Sequence, residues 1–537
     1  MKKYLIGSAI IASVLVLGAC SSSNLKMNGH DMSNMNGHEM SKMDDKSGNA
    51  EGDTKLDLKG LKEGKPLQII RGPKVTLVAK VGKQKLKNGV VVPVWTFNGA
   101  APGPEIRVKK GDKVKITLKN ELPASVSIHW HGYPVPNNMD GIPGVTQDAI
   151  APGKSFTYEF TANEVGTYWY HSHQDSVNQL DRGLYGAFVV EDNKKFDKDY
   201  TLMLDEWVSN KKEIANQLDA MTNPSSEKDG HSMDMSGDSS GGMMMNHSMN
   251  DYDVFTINGK SGNLIPELKV NKGDRVRLRL INAGYLTHKI HLHGHDFKVI
   301  ATDGQTINKP NDLKNQLLAI APGERYDIEF TANKKGGKWL IEEHGTKDAI
   351  NGMKAYIAYS NDVKSNDVSN NSISLPSVDL SNYGQKGLSD LNLNTKYNLS
   401  YSMNLGTEMD GNEMKYTING KTFPNIEPLN VKKGDLIKVT LKNTSMMDDH
   451  PMHLHGHFFK VLSKNGKAYS GAPIIKDTLN LKPGEEYVVA FKANNPGNWM
   501  FHCHDLHHAA AGMVSEVKYT DFKSIYTPNP DAGNMPE

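Results

Sequence analysis

The run His502-Cys503-His504, followed by His508 and Met513, concentrates more metal-binding chemistry than any other stretch of the sequence. A cysteine thiolate, a histidine five residues on and a methionine ten on, joined by a distant histidine, form a soft trigonal set with a weak axial thioether. Such a set suits a copper ion that cycles by one electron. In an extended strand alternate side chains point to opposite faces. Cys503 can therefore face one metal while His502 and His504 face others on the opposite side. An electron-entry site and a cluster would then be joined through covalently bonded neighbours.

A cluster of that kind needs further imidazoles. His129-Trp130-His131 and His171-Ser172-His173 are His-X-His pairs in apolar, strand-like surroundings, and His453-Leu454-His455 is a third, with His450 three residues upstream. Each pair sets two rings on one strand face, the spacing that neighbouring metals require. With His502 and His504 the pairs supply eight imidazoles, and His450 joins Cys503, His508 and Met513. A zinc site would want four closed ligands rather than this convergent set.

Through these motifs, His-Trp-His-Gly at 129–132, His-Ser-His at 171–173, His-x-x-His-x-His-Gly at 450–456 and His-Cys-His-x-x-x-His-x-x-x-x-Met at 502–513, the chain resembles the multicopper oxidases. The resemblance runs from about residue 66 to 520 and implies four copper ions: one type 1, one type 2 and a type 3 pair. By resemblance, His450, Cys503, His508 and Met513 hold type 1, and His129 and His453 hold type 2. His131, His171 and His502 take one type 3 ion, and His173, His455 and His504 the other. Electrons would enter at Cys503 and pass through His502 and His504, and O2 would be reduced to water at the cluster. Asp140, nine residues past His131, matches the family's acidic residue near the type 2 water and joins the catalytic set. The glutamate that many relatives carry six residues after the cysteine is Ala509 here.

The elements that must position these residues are visible as repeats. Gly111-Asp112 opens an alternating run to Asn120, and Gly273-Asp274 to Asn282 and Gly434-Asp435 to Asn443 repeat it. Ala151-Pro152-Gly153, Ala321-Pro322-Gly323 and Lys482-Pro483-Gly484 each open a second strand. Alternation bounded by Gly, Pro and Asn turns predicts an all-β chain of three cupredoxin-like Greek-key β-sandwich domains. The expected order is a signal peptide at 1–19, a Met/His-rich flexible tether at 20–59, and domains at 60–195, 196–362 and 395–537. The second domain carries a Met-rich insertion at 221–249, a linker fills 363–394, and the third domain ends in a C-terminal tail.

Aligning the repeats shows where copper ligands are missing. In the second repeat Glu343 stands for the cysteine and Asp348 for the second type 1 histidine, so this domain cannot hold a blue copper. In the first, Val126 and Ser172 replace type 1 ligands while both His-X-His pairs persist, so the cluster is expected between domains 1 and 3. His288, His291, His293 and His295 read as a relic packed inside domain 2, with metal binding there as the alternative.

The 537 residues carry a net charge of +1, which gives no electrostatic case for nucleic acid. The two cysteines, Cys20 and Cys503, preclude a structural disulfide framework. Met1-Lys2-Lys3, an apolar run over 4–17 and Leu17-Gly18-Ala19-Cys20 resemble a bacterial lipoprotein signal, which implies export, lipidation of Cys20 and anchoring on the outer face of a membrane. A monomer is expected.

The reductant is read from soft donors. Met243, Met244 and Met245 lie in the Met-rich insertion, and Met446-Met447-Asp448-Asp449 immediately precede His450. Thioethers suit Cu(I), and this arrangement resembles bacterial cuprous oxidases of copper tolerance. The alternatives are a laccase-type oxidase of phenols or other small organic reductants, and a copper-sequestering lipoprotein without turnover.

Overall fold

The computed structural model describes residue 58 and residues 60–87, 89–222, 251–344, 352–359, 374–387, 391–411 and 413–536. The expected signal segment with Cys20, nearly all of the tether, Met243, Met244, Met245 and much of the linker lie outside the described residues.

Six sheets pair into three β-sandwiches. In each, the repeated Gly-Asp run is a strand: Lys113–Asn120, Arg275–Asn282 and Leu436–Asn443. Each lies antiparallel to the strand opened by its Pro-Gly turn, Ser155–Thr161, Arg325–Thr331 and Glu486–Lys492. Alternation does the sorting. In Lys113–Asn120 the lysines and Thr117 face out while Val114, Ile116 and Leu118 are buried. The asparagine that closes each repeat is buried and ties a corner by donating its Nδ2 to two carbonyls. Asn120 bonds Ala124 and Ile150, Asn282 bonds Leu286 and Ile320, and Asn443 bonds Asp448 and Leu481. That shared job explains why Asn recurs, since buried backbone carbonyls must be satisfied.

Helices are short connectors, among them Ser176–Asp181 and Leu506–Ala510. A longer one, Lys211–Thr222, ends in Met221, whose side chain is buried in the core of the first sandwich. Met221 was expected to begin the mobile Met-rich insertion. Apolar burial instead takes it out of the pool of free thioethers.

The second sheet of the third sandwich runs Leu429–Val431, Val514–Tyr519, Asn498–Cys503, His450–Leu454 and Thr478–Leu481 in spatial order. Its strands Asn498–Cys503 and His450–Leu454 carry His502, Cys503, His450 and His453, and His504 and His455 follow just past their ends.

Candidate copper centres

Strand parity separates two sites. His450–Leu454 pairs antiparallel with Asn498–Cys503, placing Met452 opposite Cys503 and His453 opposite His502. Residues two apart share a face. His450 therefore falls on the side of Cys503, while His453 and His455 fall on the side of His502 and His504.

On the first side the Cys503 sulfur lies 3.5 Å from His508 Nδ1 and 3.8 Å from His450 Nδ1, and the two nitrogens are 3.2 Å apart. Those separations are what one ion bonded at about 2.0–2.3 Å to each donor requires. Met513 is fully buried at this site, and its backbone is tied into it by donation to the His508 carbonyl and acceptance from the Cys503 N–H. Burial pushes the His450 imidazole down to about 3, so its lone pair is free of protons at neutral pH. Tyr416 stacks on His508 with ring centres 3.8 Å apart. Asp505 caps the short helix that returns His508 to the site, accepting from the His507 N–H.

On the second side eight imidazoles converge, none more than 3 % exposed. His129 and His171 are held by a reciprocal backbone bridge between the two His-X-His segments of the first sandwich. Ligand atoms of His131, His171 and His504 gather within 4.8 Å, as do those of His173, His455 and His502, and those of His129, His131 and His453. The expected partition of the last motif is thus reversed: His504, not His502, meets His131 and His171. Both share a face, so parity alone cannot assign them; the approach of the first sandwich does.

The rings are aimed by what their Nδ1 atoms touch. His129 donates to the Asp140 carbonyl, His171 to Ser172, His453 to Asp477 and His502 to Cys503. His173 Nδ1 meets the Pro536 carbonyl of the C-terminal tail. Such partners fix the tautomer and leave Nε2 as the ligand. Among the described residues, the Nε2 atoms of His129, His171 and His453 are buried without a hydrogen-bond partner, as are both nitrogens of His504. Buried imidazole nitrogens left unpaired are costly, and metal ligation is the chemistry that satisfies them. Desolvation lowers every one of these rings for which a shift is resolved, His173 to about 3, so they present neutral donors.

Two carboxylates serve the cluster. Asp140 places Oδ1 3.2 Å from His129 Nδ1 and Oδ2 3.0 Å from His455 Nδ1. Asp477 was not foreseen. Its Oδ1 lies 3.4 Å from His453 Nδ1 and accepts from Thr478, whose hydroxyl is 3.0 Å from His131 Nε2. Arg325 of the second sandwich grips both Asp477 oxygens. Burial pushes the Asp477 carboxyl up, but the guanidinium outweighs it and holds the group below the usual range. Close packing explains two glycines here. A side chain on Gly132 would strike Arg325 and Asp477, and one on Gly323 would lie 3.0 Å from His131 and His504.

Beside the first site, Met446 and Met447 are 93 % and 87 % exposed. Asp448 accepts from Thr407 and Asp449 from Asn480. Thr407 pairs with Tyr416 across a hairpin, and Met409 with Met414 two residues on. These four share one face, and both methionines are exposed. Motif reading missed Met409, Met414 and Tyr416 because only the hairpin register sets the two methionines on the face of Tyr416, whose ring stacks on His508.

Three family models, each described as multicopper oxidase, match residues 79–195, 198–361 and 394–522. Over 453 residues the chain is 31 % identical to multicopper oxidase MmcO of Mycobacterium tuberculosis, covering 80 % of this chain and 84 % of that protein. The chain belongs to the multicopper oxidases. This oxidase is also 26 % identical to copper resistance protein A of Escherichia coli, covering 79 % and 89 % of the two chains. A multicopper oxidase from Campylobacter jejuni, described as a metallo-oxidase, has a matching structure. Its TM-score is 0.63 at 25 % identity, with 86 % of this chain and 97 % of that one covered. The present chain is accordingly an oxidoreductase acting on O2, and its His/Cys clusters match type 1, type 2 and type 3 copper sites. When bound, the coppers supply one-electron transfer at the cysteine site and four-electron reduction of O2 to two waters at the cluster.

Proposed function

We propose that the enzyme oxidises Cu(I), four ions per O2 and four protons, in copper tolerance. His450, Cys503, His508 and Met513 take type 1, and His129 and His453 take type 2. His131, His171 and His504 take one type 3 ion, and His173, His455 and His502 the other. Asp140 orients His129 and His455, and its carboxylate would hold or move protons beside the cluster.

The carrying observation is a pair of exposed thioethers, Met446 and Met447, four and three residues before the type 1 ligand His450. Exposed methionine is otherwise unfavourable, and soft sulfur selects Cu(I). Met409 and Met414 add exposed thioethers on the hairpin face whose Thr407 bonds Asp448, and the Tyr416 hydroxyl, 3.0 Å from the Met414 sulfur, belongs to the ring stacked on His508. Replacing Met446 and Met447 together by serine is expected to raise KM for Cu(I) about tenfold, roughly 1.4 kcal/mol of lost recruitment, while phenol turnover holds. Oxygen uptake with each donor checks this. Unchanged Cu(I) kinetics with collapsed phenol oxidation would instead support an organic reductant.

Export and anchoring through Cys20 belong to the same reading. Among the described residues no helix is long and apolar enough to cross a membrane. Cys20→Ala is expected to move the enzyme from the membrane to the soluble fraction with unchanged specific activity. Persistent membrane association would refute the lipid anchor.

A further inference from the structure

We infer a separate metal site in the second sandwich, built by His291, His293, His344 and Glu342, that takes a divalent ion of the zinc or copper(II) class. It is distinct from the four oxidase coppers and does not depend on which reductant the enzyme uses. The repeat frame places it: His291 and His293 stand where His453 and His455 stand in the third sandwich, and His344 stands where His504 does. Strand pairing follows suit, with His291 opposite Glu342 as His453 is opposite His502.

The relic expected from the sequence, His288, His291, His293 and His295, divides on inspection. His288 Nε2 lies 3.0 Å from a Glu206 oxygen, and His295 Nε2 lies 2.8 Å from the Tyr359 hydroxyl. Both are satisfied structural histidines. His344, from the end of the neighbouring strand, joins the other two, and the ligand atoms of the three lie within 4.8 Å of one another.

The spacings fit one ion. His293 Nε2 and His344 Nε2 are 3.4 Å apart and lie 3.0 and 3.3 Å from Glu342 Oε1. Donors around a tetrahedral ion with bonds of about 2.0–2.1 Å stand roughly 3.3 Å from each other. His291 carries the inference furthest. It is only 6 % exposed, yet among the described residues neither of its ring nitrogens has a hydrogen-bond partner. Its ring centre lies 4.2 Å from that of His293 and 5.0 Å from that of His344. Lys354 contacts the other Glu342 oxygen at 3.3 Å and so leaves Oε1 to the histidines.

Three imidazoles and one carboxylate select zinc or copper(II) over magnesium or calcium, and without a thiolate the set cannot make a second blue site. The His293 side chain, 15 % exposed, gives an ion a way in. A bound ion would clasp strand His288–Leu292 to strand Lys338–Glu343 and stabilise the fold by mass action.

The test uses the full-length four-copper enzyme, incubated with Zn2+, Cu2+ or Co2+, desalted and analysed for metal. One additional equivalent is expected, with a raised Tm, and cobalt is expected to give the visible absorption of a four-coordinate site. His291→Ala and, separately, His344→Gln should lose that equivalent and the cobalt spectrum while keeping the blue band and oxygen uptake. An extra type 2 copper signal in electron paramagnetic resonance would name copper as occupant; retention of zinc alone would name zinc. A wild-type enzyme that keeps only four coppers and shows no cobalt spectrum overturns the site, even where a variant folds poorly. So does an additional equivalent that both variants retain.

Discussion

Cys503→Ser is expected to abolish the blue absorption and reduce oxygen uptake to below about 1 % of wild type, at least about 2.7 kcal/mol on the barrier. The sulfur is the soft donor between His450 and His508, and through its backbone it is bonded to both His502 and His504. Serine offers a hard, protonated oxygen in nearly the same volume. The fold should survive, because strand pairing to Met452 and the backbone bond to Met513 do not use the side chain. A buried hydroxyl without a partner costs about 1–3 kcal/mol at most. Circular dichroism and cluster copper content should therefore stay near wild type while colour and turnover vanish. A variant that stayed blue and active would end the assignment of the cysteine site.

Much of this was readable in the chain. The twelve expected ligands are recognisable by residue type and spacing: the strand period gives the face of those on strands, while His508 and Met513 return to Cys503 by way of a short helix. The sandwiches are recognisable because Gly-Asp turns and closing asparagines recur at equivalent corners. Contacts across sandwiches leave no such trace. Asp477 stands 24 residues from His453 in the chain and belongs to no motif, and Arg325 lies in a different repeat. The His502/His504 exchange depended on where the first sandwich approaches, and the Met409–Met414 pair on hairpin register. Met221 looked like the first methionine of the insertion because composition cannot distinguish a helix end that packs from one that does not.

Arg325→Leu is expected to be the most destabilising single change, by about 3–5 kcal/mol, because it leaves a buried carboxylate without its cation. Both Arg325 and Asp477 are fully buried. The guanidinium also donates to the carbonyls of Thr167, 3.2 Å away, and Gly323, 3.1 Å away. One side chain thus joins all three sandwiches. Denaturant midpoints on copper-depleted protein would measure the loss without counting metal release. The double variant Arg325→Leu/Asp477→Leu should recover part of it, since an apolar pair avoids the stranded charge. A single variant within about 1 kcal/mol of wild type would mean that solvent or another cation already neutralises Asp477.

The same junction bears on how such enzymes can be recombined. The second sandwich lacks a blue-copper ligand set, yet it lends the cluster a cation and, at Gly323, a bare backbone against His131 and His504. A chimera that takes its middle segment from a relative would inherit whatever residues that relative places at these two points. A bulkier residue than glycine would press into the imidazoles, and any uncharged residue in place of arginine would strand Asp477. Crossover points between the sandwiches are therefore poor places to splice unless Gly132, Gly323, Arg325 and Asp477 travel as one unit.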